Sequence, residues 1–268
     1  RNAIENEGYI ETKDDRYVVK EIEKTSGGTA KIRAQLDLES LEGKAFREFR
    51  SEEQTIRNAL QLAFAGTGWT IGICEVSKKR TLSMSNVSAL DVLKQALKTY
   101  RCEITINSKD QIIHVYTSVG EDKGCYFSNQ LNLTQLTVQS TSYDFYTEIE
   151  PYGKDGLTIE SVNDGKTYLE NHQYSSKVKR CIWKDERYTV PESLKEDAEA
   201  KLKDMSKPYT SYSANVIDLA KHSEKYSILE YGIGDTVTLL DDFTDTREEQ
   251  RIVGMKTYPD APEKNSCT

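Results

Sequence analysis

From Tyr143 to Glu150 the chain alternates, with Tyr143, Phe145, Thr147 and Ile149 on one side and Asp144, Tyr146, Glu148 and Glu150 on the other. A period of two over that length predicts a half-buried strand. Pro151 has no N–H for a ladder, which predicts the strand's end. Tyr152-Gly153-Lys154-Asp155-Gly156 then predicts a turn in which two glycines are free to take positive φ. Leu157-Thr158-Ile159 reads as a second strand and Asn163-Asp164-Gly165 as a second turn. The stretch 141–171 is thus expected to be a hairpin where the chain crosses from one β region to another.

The same patterning divides the rest of the chain. A hairpin is expected over 8–24, turning at Lys13-Asp14-Asp15, and a further strand over 30–38 after Ser26-Gly27-Gly28. Residues 1–7 read as a polar connection. Ser51-Glu52-Glu53-Gln54 fits a capping box, after which Ile56, Leu60, Ala63 and Phe64 recur at helical spacing up to Gly66 and Gly68. Strands follow at 69–76, 103–107 and 111–117, with a second helix opened by Ser88-Ala89-Leu90-Asp91. After 120–124 the pattern returns to β. Pro191 suits the first turn of a helix whose stripe is Leu194, Ala198, Leu202 and Met205, ended by Pro208. Strands at 212–219, 234–240 and 251–258 complete the chain, the last two separated by a charged loop. No repeat at a solenoid period is visible.

Composition bears on how such elements bury themselves. Of 268 residues only 37% are hydrophobic, and 16 are tyrosine against 6 phenylalanine and 2 tryptophan; the mean hydropathy is −0.67. A core this thin suits several small units, or a chain that buries surface against partners. The formal charge is −8, and the nearest approach to a basic run is Lys78-Lys79-Arg80, which reads as an exposed turn. Phosphate tracking needs a basic stripe, so stable nucleic-acid binding is not expected. No apolar run is long enough for a helical membrane span. The chain begins at Arg1 without an initiator methionine, as a fragment of a longer protein would.

The search for chemistry finds little. Five cysteines, Cys74, Cys102, Cys125, Cys181 and Cys267, are scattered without a C-x-x-C, which points to reduced thiols. His114, His172 and His222 stand apart from any ligand spacing. Cys125 or Cys181 with a histidine would be the nucleophilic alternative, but no local protease pattern surrounds either. Phosphate-cradling and nucleophile-elbow motifs are missing, and acid pairs such as Asp14-Asp15, Glu52-Glu53 and Asp241-Asp242 suit solvated faces. Asn86-Val87-Ser88 and Asn132-Leu133-Thr134 match the glycosylation pattern by spacing alone. No catalytic, cofactor or metal residue is assigned from sequence.

One resemblance runs along essentially the whole chain. It is carried by Tyr152-Gly153-Lys154-Asp155-Gly156-Leu157-Thr158-Ile159 with Tyr168-Leu169-Glu170-Asn171. Tyr17–Ile22, Ala63–Trp69, Trp183–Thr189, Ser206-Lys207-Pro208 and Gly234-Asp235-Thr236-Val237 follow it in order and spacing. These blocks together resemble the prophage tail endopeptidase family, the tail-associated lysin or tail-hub proteins of phages of Gram-positive bacteria.

The resemblance implies a mainly β fold with α+β insertions, two β-barrel-like domains of the phage baseplate-hub kind. Residues 1–47 and 120–156 would form the first, lacking N-terminal strands that relatives carry. Residues 48–119 would be an α+β insert, and 157–268 the second barrel-like domain with a helix at 191–205. It further implies a homotrimeric hub ring at the distal end of the tail tube, meeting distal tail, tube, tape-measure and tail-tip proteins. The location would be the virion tail, assembled in the bacterial host cytoplasm. Cell-wall hydrolysis in such proteins sits in a C-terminal extension, so none is expected of these residues. The alternatives are the N-terminal part of such a hydrolase, or a module binding host polysaccharide through exposed tyrosines.

Overall fold

The structure is a computed structural model that describes residues 4–221, 223–258 and 261–268. Within the chain two compact units separate between Val119 and Gly120.

The first unit begins with β1 (Tyr9–Glu11), β2 (Arg16–Lys24) and β3 (Ala30–Leu36), an antiparallel meander in that order. Ile22 pairs with Ile32, and both strands are largely exposed there. A short helix α1 (Glu39–Glu42) leads to β4 (Ala45–Thr55), α2 (Ile56–Phe64), β5 (Thr70–Cys74), β6 (Lys79–Ser88), α3 (Ala89–Tyr100), β7 (Glu103–Asn107) and β8 (Ile112–Tyr116). β4 pairs with β6, while β8 lies between a parallel β5 and an antiparallel β7. The helices cover these sheets with one continuous core that includes Phe49, Leu60, Leu82, Leu93, Tyr100 and Ile113.

Helix α3 starts as the sequence predicts. Ser88 Oγ accepts from Asp91 N at 3.1 Å, and Asp91 accepts from Ser88 N at 2.9 Å. The other expected capping box is overturned. Ser51 to Gln54 lie inside β4, at a bulge where Glu53 takes φ 46°, and the true N-cap of α2 is Thr55. Tyr100 accounts for the bulge: its hydroxyl donates to Gln54 O at 2.6 Å and lies 3.2 Å from Arg80 O. Carbonyls turned out of a ladder need such a donor when buried. Lys78-Lys79-Arg80 is likewise no exposed turn. Lys79 opens β6, and Arg80 is only 7% exposed.

The second unit contains β9 (Asp122–Ser128), β10 (Leu133–Thr141), β11 (Glu148–Tyr152), β12 (Leu169–Glu170), β13 (Arg180–Lys184), α4 (Pro191–Met205), β14 (Tyr209–Val216), β15 (Thr236–Asp241), β16 (Thr246–Arg251), β17 (Met255–Lys256) and β18 (Ser266–Cys267). Sheets β16-β15-β9 and β10-β14-β18-β17 share a core of Phe127, Leu133, Val216, Val237, Leu239 and Ile252. Among the described residues none of the sheets closes into a barrel. Sequence reading groups 120–156 with 1–47, whereas β9 and β10 pair here with β15 and β14. The β9–β15 ladder is parallel and joins residues more than a hundred apart, a pairing that no local pattern announces. Gly120 shows how close the backbones come, for a Cβ there would stand 2.0 Å from Gly234 C. Asp235 locks the junction, accepting from Glu121 N and Gly232 N at 2.9 Å and from Lys123 Nζ at 3.1 Å.

Between β10 and β14 the chain forms a small α+β part, the sheet β12-β11-β13 covered by α4. Helix α4 spans 191–205 with Pro191 in its first turn, as predicted. The expected hairpin over 141–171 is corrected in three ways. Residues 142–147 are not strand, and Leu157–Ile159 is not strand either, Ile159 being buried before a short 3-10 turn. Pro151 lies within β11 rather than ending it. Glu148 N donates to Lys179 O, and Asp185 N donates to Tyr152 O. Even-numbered residues of β11 therefore face β13. The missing N–H of Pro151 falls on the opposite side, beyond the Glu148 and Ile149 pairing with β12. Gly156 takes φ 79°, but Gly153 sits at φ −93° and serves a close approach, since a Cβ there would meet Tyr188 O at 2.7 Å.

Candidate functional site

A polar constellation of the second unit lies on β11. Alternation along β11 puts Ile149 into the small core with Ala198 and Leu202 of α4, and leaves Glu148, Glu150 and Tyr152 on the other face. Register then decides what they meet. Glu148 stands opposite Arg180 of β13 and opposite Glu170 of β12. Arg180 Nε donates to Glu148 Oε2 at 2.7 Å, and Nη1 reaches Glu150 Oε2 at 3.4 Å. The guanidinium lies 4.3 Å from the centre of the Tyr168 ring, a cation–π contact. Tyr152 Oη and Thr167 Oγ1 both donate to Glu150 Oε1, at 2.8 and 3.1 Å.

The Tyr152 hydroxyl, then Thr167 and Arg180, hold the Glu150 carboxyl below its ordinary pKa against the opposing effect of burial. Glu148 is 5% exposed. The Glu150 carboxylate, fixed by an arginine and two hydroxyls, has no proton to trade near neutrality. The cluster ties three strands together. Behind it, Trp183 and Tyr188 meet edge to face at 5.4 Å, and Tyr188 Oη donates to the buried Asp197 Oδ2 at 2.7 Å.

Comparison with known proteins places this arrangement. The profile of the prophage endopeptidase tail family matches residues 121–268, more than half of the chain. The chain belongs to that family. A second profile, prophage endopeptidase tail domain, matches residues 45–117. Among solved structures the fold is similar to prophage tail protein gp18 from Listeria monocytogenes EGD-e, with a TM-score of 0.72 and 16% identity over 100% of this chain and 80% of that one. The 43 kDa tail protein of prophage MuSo2 from Shewanella oneidensis gives 0.64 and 10% identity, over 90% of this chain and 74% of that one. A tail protein from Neisseria meningitidis MC58 gives 0.64 and 9%, over 94% and 78%. At such identities the likeness shows a shared fold. A search of curated sequences gave no match.

In this prophage tail family member the residues weighed from sequence take separate places. His114 Nδ1 accepts from Ile73 N at 2.9 Å, and His172 Nδ1 donates to Ser175 O at 3.1 Å. His222 lies outside the described residues. Cys125 is buried, which pushes its thiol up to about 11 and away from a reactive thiolate. Cys181 is half-buried on β13 and donates weakly to Ile182 O. Asn132 is 1% exposed, with its amide held by Ser128 N and Tyr126 O, so it cannot present itself for glycosylation. What sequence reading missed is the Glu148–Arg180 pair. Its partners are 32 residues apart, and only the parallel register of β11 and β13 joins them.

Apolar exposure marks the rest of this unit. Ile182, on the edge strand β13, and Val178 just before it are each 70% exposed. Val138 of edge strand β10 and Tyr209 opposite its end are exposed, and Tyr143 is 90% exposed. Among the described residues no helix is long and apolar enough to cross a membrane.

Proposed function

We propose that this prophage tail protein is a structural, non-enzymatic subunit of a trimeric hub ring at the distal end of the tail tube, adapting tube to tail tip. The observation that carries this reading is the pair of open sheet edges, β10 and β13, bearing exposed apolar side chains. An unpaired edge with such side chains is an aggregation hazard unless another chain covers it. Edge burial between copies also relieves the thin core that composition imposes. The partition into barrel-like parts, 1–47 with 120–156 and 157–268 around the insert 48–119, is proposed for the assembled ring. There the exposed β1–β3 meander finds strands that one chain does not supply. The remaining partners are distal tail, tube, tape-measure and tail-tip proteins, met in the virion tail after assembly in the host cytoplasm.

Light scattering with electron microscopy tests the ring. The expected particle has three times 30.5 kDa and a visible central opening. A strict monomer at high concentration rules the ring out. Cell-wall hydrolysis by these residues alone would overturn the non-enzymatic assignment.

A further inference from the structure

We propose that Glu148, Glu170 and His172 form a binding site for a divalent transition-metal ion of the zinc type, which fastens β12 to β11. One donor atom from each residue lies within 4.8 Å of the other two. The backbone causes this meeting. Glu148 and Glu170 are directly opposed in the antiparallel pair, and His172 follows two residues later, just past the end of β12.

Three further observations point to an ion. Glu148 is more than nine-tenths buried, and its Oε2 takes Arg180 while its Oε1 has no hydrogen bond among the described residues. His172 uses Nδ1 to donate to the Ser175 carbonyl, so a neutral ring carries its lone pair on Nε2. That backbone bond is how metal-bound histidines are usually oriented. The segment is also pre-built, with Asn171 N donating to Thr147 O at 2.8 Å and Asn171 Nδ2 to Ser206 Oγ at 2.7 Å.

The donor set selects the ion. One imidazole and two carboxylates suit zinc and its neighbours, whereas calcium takes six or more oxygens. Tetrahedral zinc, with bonds of about 2.0–2.2 Å, needs donors roughly 3.4 Å apart. The exposed Glu170 and His172 close that gap by side-chain rotation while Glu148 stays fixed, and water takes the fourth position. Two carboxylates directly opposed across a ladder repel, and a cation between them removes the conflict. Arg180 relieves Glu148 and Lys166 sits 3.4 Å from Glu170, but neither bridges the two. With only Leu169 and Glu170 in its ladder, β12 gains most from such a clamp.

The test is calorimetric titration of zinc chloride into the whole chain after chelator treatment. One zinc per chain is expected, weakened roughly tenfold or more by His172→Ala and by Glu170→Gln, and unchanged by Cys181→Ser. Both exposed positions leave the fold intact, which circular dichroism checks. Absorption at the zinc edge is expected to show a nitrogen and oxygen shell. The site is refuted by no zinc uptake, by uptake that survives both variants or is lost with Cys181→Ser, or by sulfur in the shell.

Discussion

Two regions among the described residues set sheets under helices. β4–β6 and β5–β8–β7 lie under α2 and α3 in the first unit, and β12–β11–β13 lies under α4 in the second. The first arrangement is held by apolar volume, a single core running from Leu41 through Leu60 and Leu93 to Val115. The second divides its apolar contacts into two small groups, one at Ile149, Ala198 and Leu202, the other at Ile159, Tyr188 and Leu194. Its register is fixed instead by Glu148, Arg180 and Glu150 and by the Tyr188–Asp197 bond. Apolar burial is non-directional, so it stabilises without specifying partners strongly; charge-assisted bonds do the reverse.

That contrast can be broken most forcefully at Leu60. It is fully buried at the centre of the first core, so Leu60→Ala is expected to cost about 2–5 kcal/mol in urea unfolding. Leu202→Ala in the small core should cost less, because its cavity has fewer walls. Equal costs would show that the two regions are packed alike. Next comes Glu148→Gln, which removes a buried charge-assisted bond and is expected to cost about 1.5–3 kcal/mol. Exchange of amide hydrogens should then quicken in β11 to β13 and stay unchanged in β4 to β8. Ser88→Ala removes the side-chain half of the α3 capping box, for about 1 kcal/mol. That loss should appear in the first unit alone.

The smallest effect concerns acid. Glu150 has a folded pKa below its ordinary 4.5, chiefly because Tyr152 donates to its carboxylate. A carboxyl depressed in the folded state binds its proton more readily when unfolded, so it stabilises above the ordinary value. The contribution fades as pH falls through the lower folded value. Glu150→Gln should therefore lower stability slightly at neutral pH and flatten the acid limb, the difference from the parent chain closing as pH falls through the lower folded value. An unchanged acid limb would remove this carboxyl from the account.

Legibility followed the range of each interaction. Helix α4, from Pro191 to Met205, and helix α3, from its Ser88–Asp91 box, were readable because cap and stripe lie within a few residues. The turns at Ser26-Gly27-Gly28 and Asn163-Asp164-Gly165 were readable for the same reason. β9 escaped, since its polar start hides Cys125 and Phe127, which only the parallel β15 turns inward. Thr55 escaped as a cap because Ser51-Glu52-Glu53-Gln54 offered the same letters four residues earlier, and a bulge used them.

The stretch 141–171 shows the division most plainly. Its alternation at Glu148, Ile149 and Glu150 and its glycine turns were determined by the sequence, through side-chain period and backbone freedom. Whether Pro151 ended the strand, and which strands flanked it, depended on hydrogen bonds to residues 169–170 and 180–184. So did the meeting of Glu148 with Arg180, Glu170 and His172. Local conformational preference acts over one turn or one pleat. Pairing across 20 to 114 residues is settled only when the whole unit buries its apolar faces together.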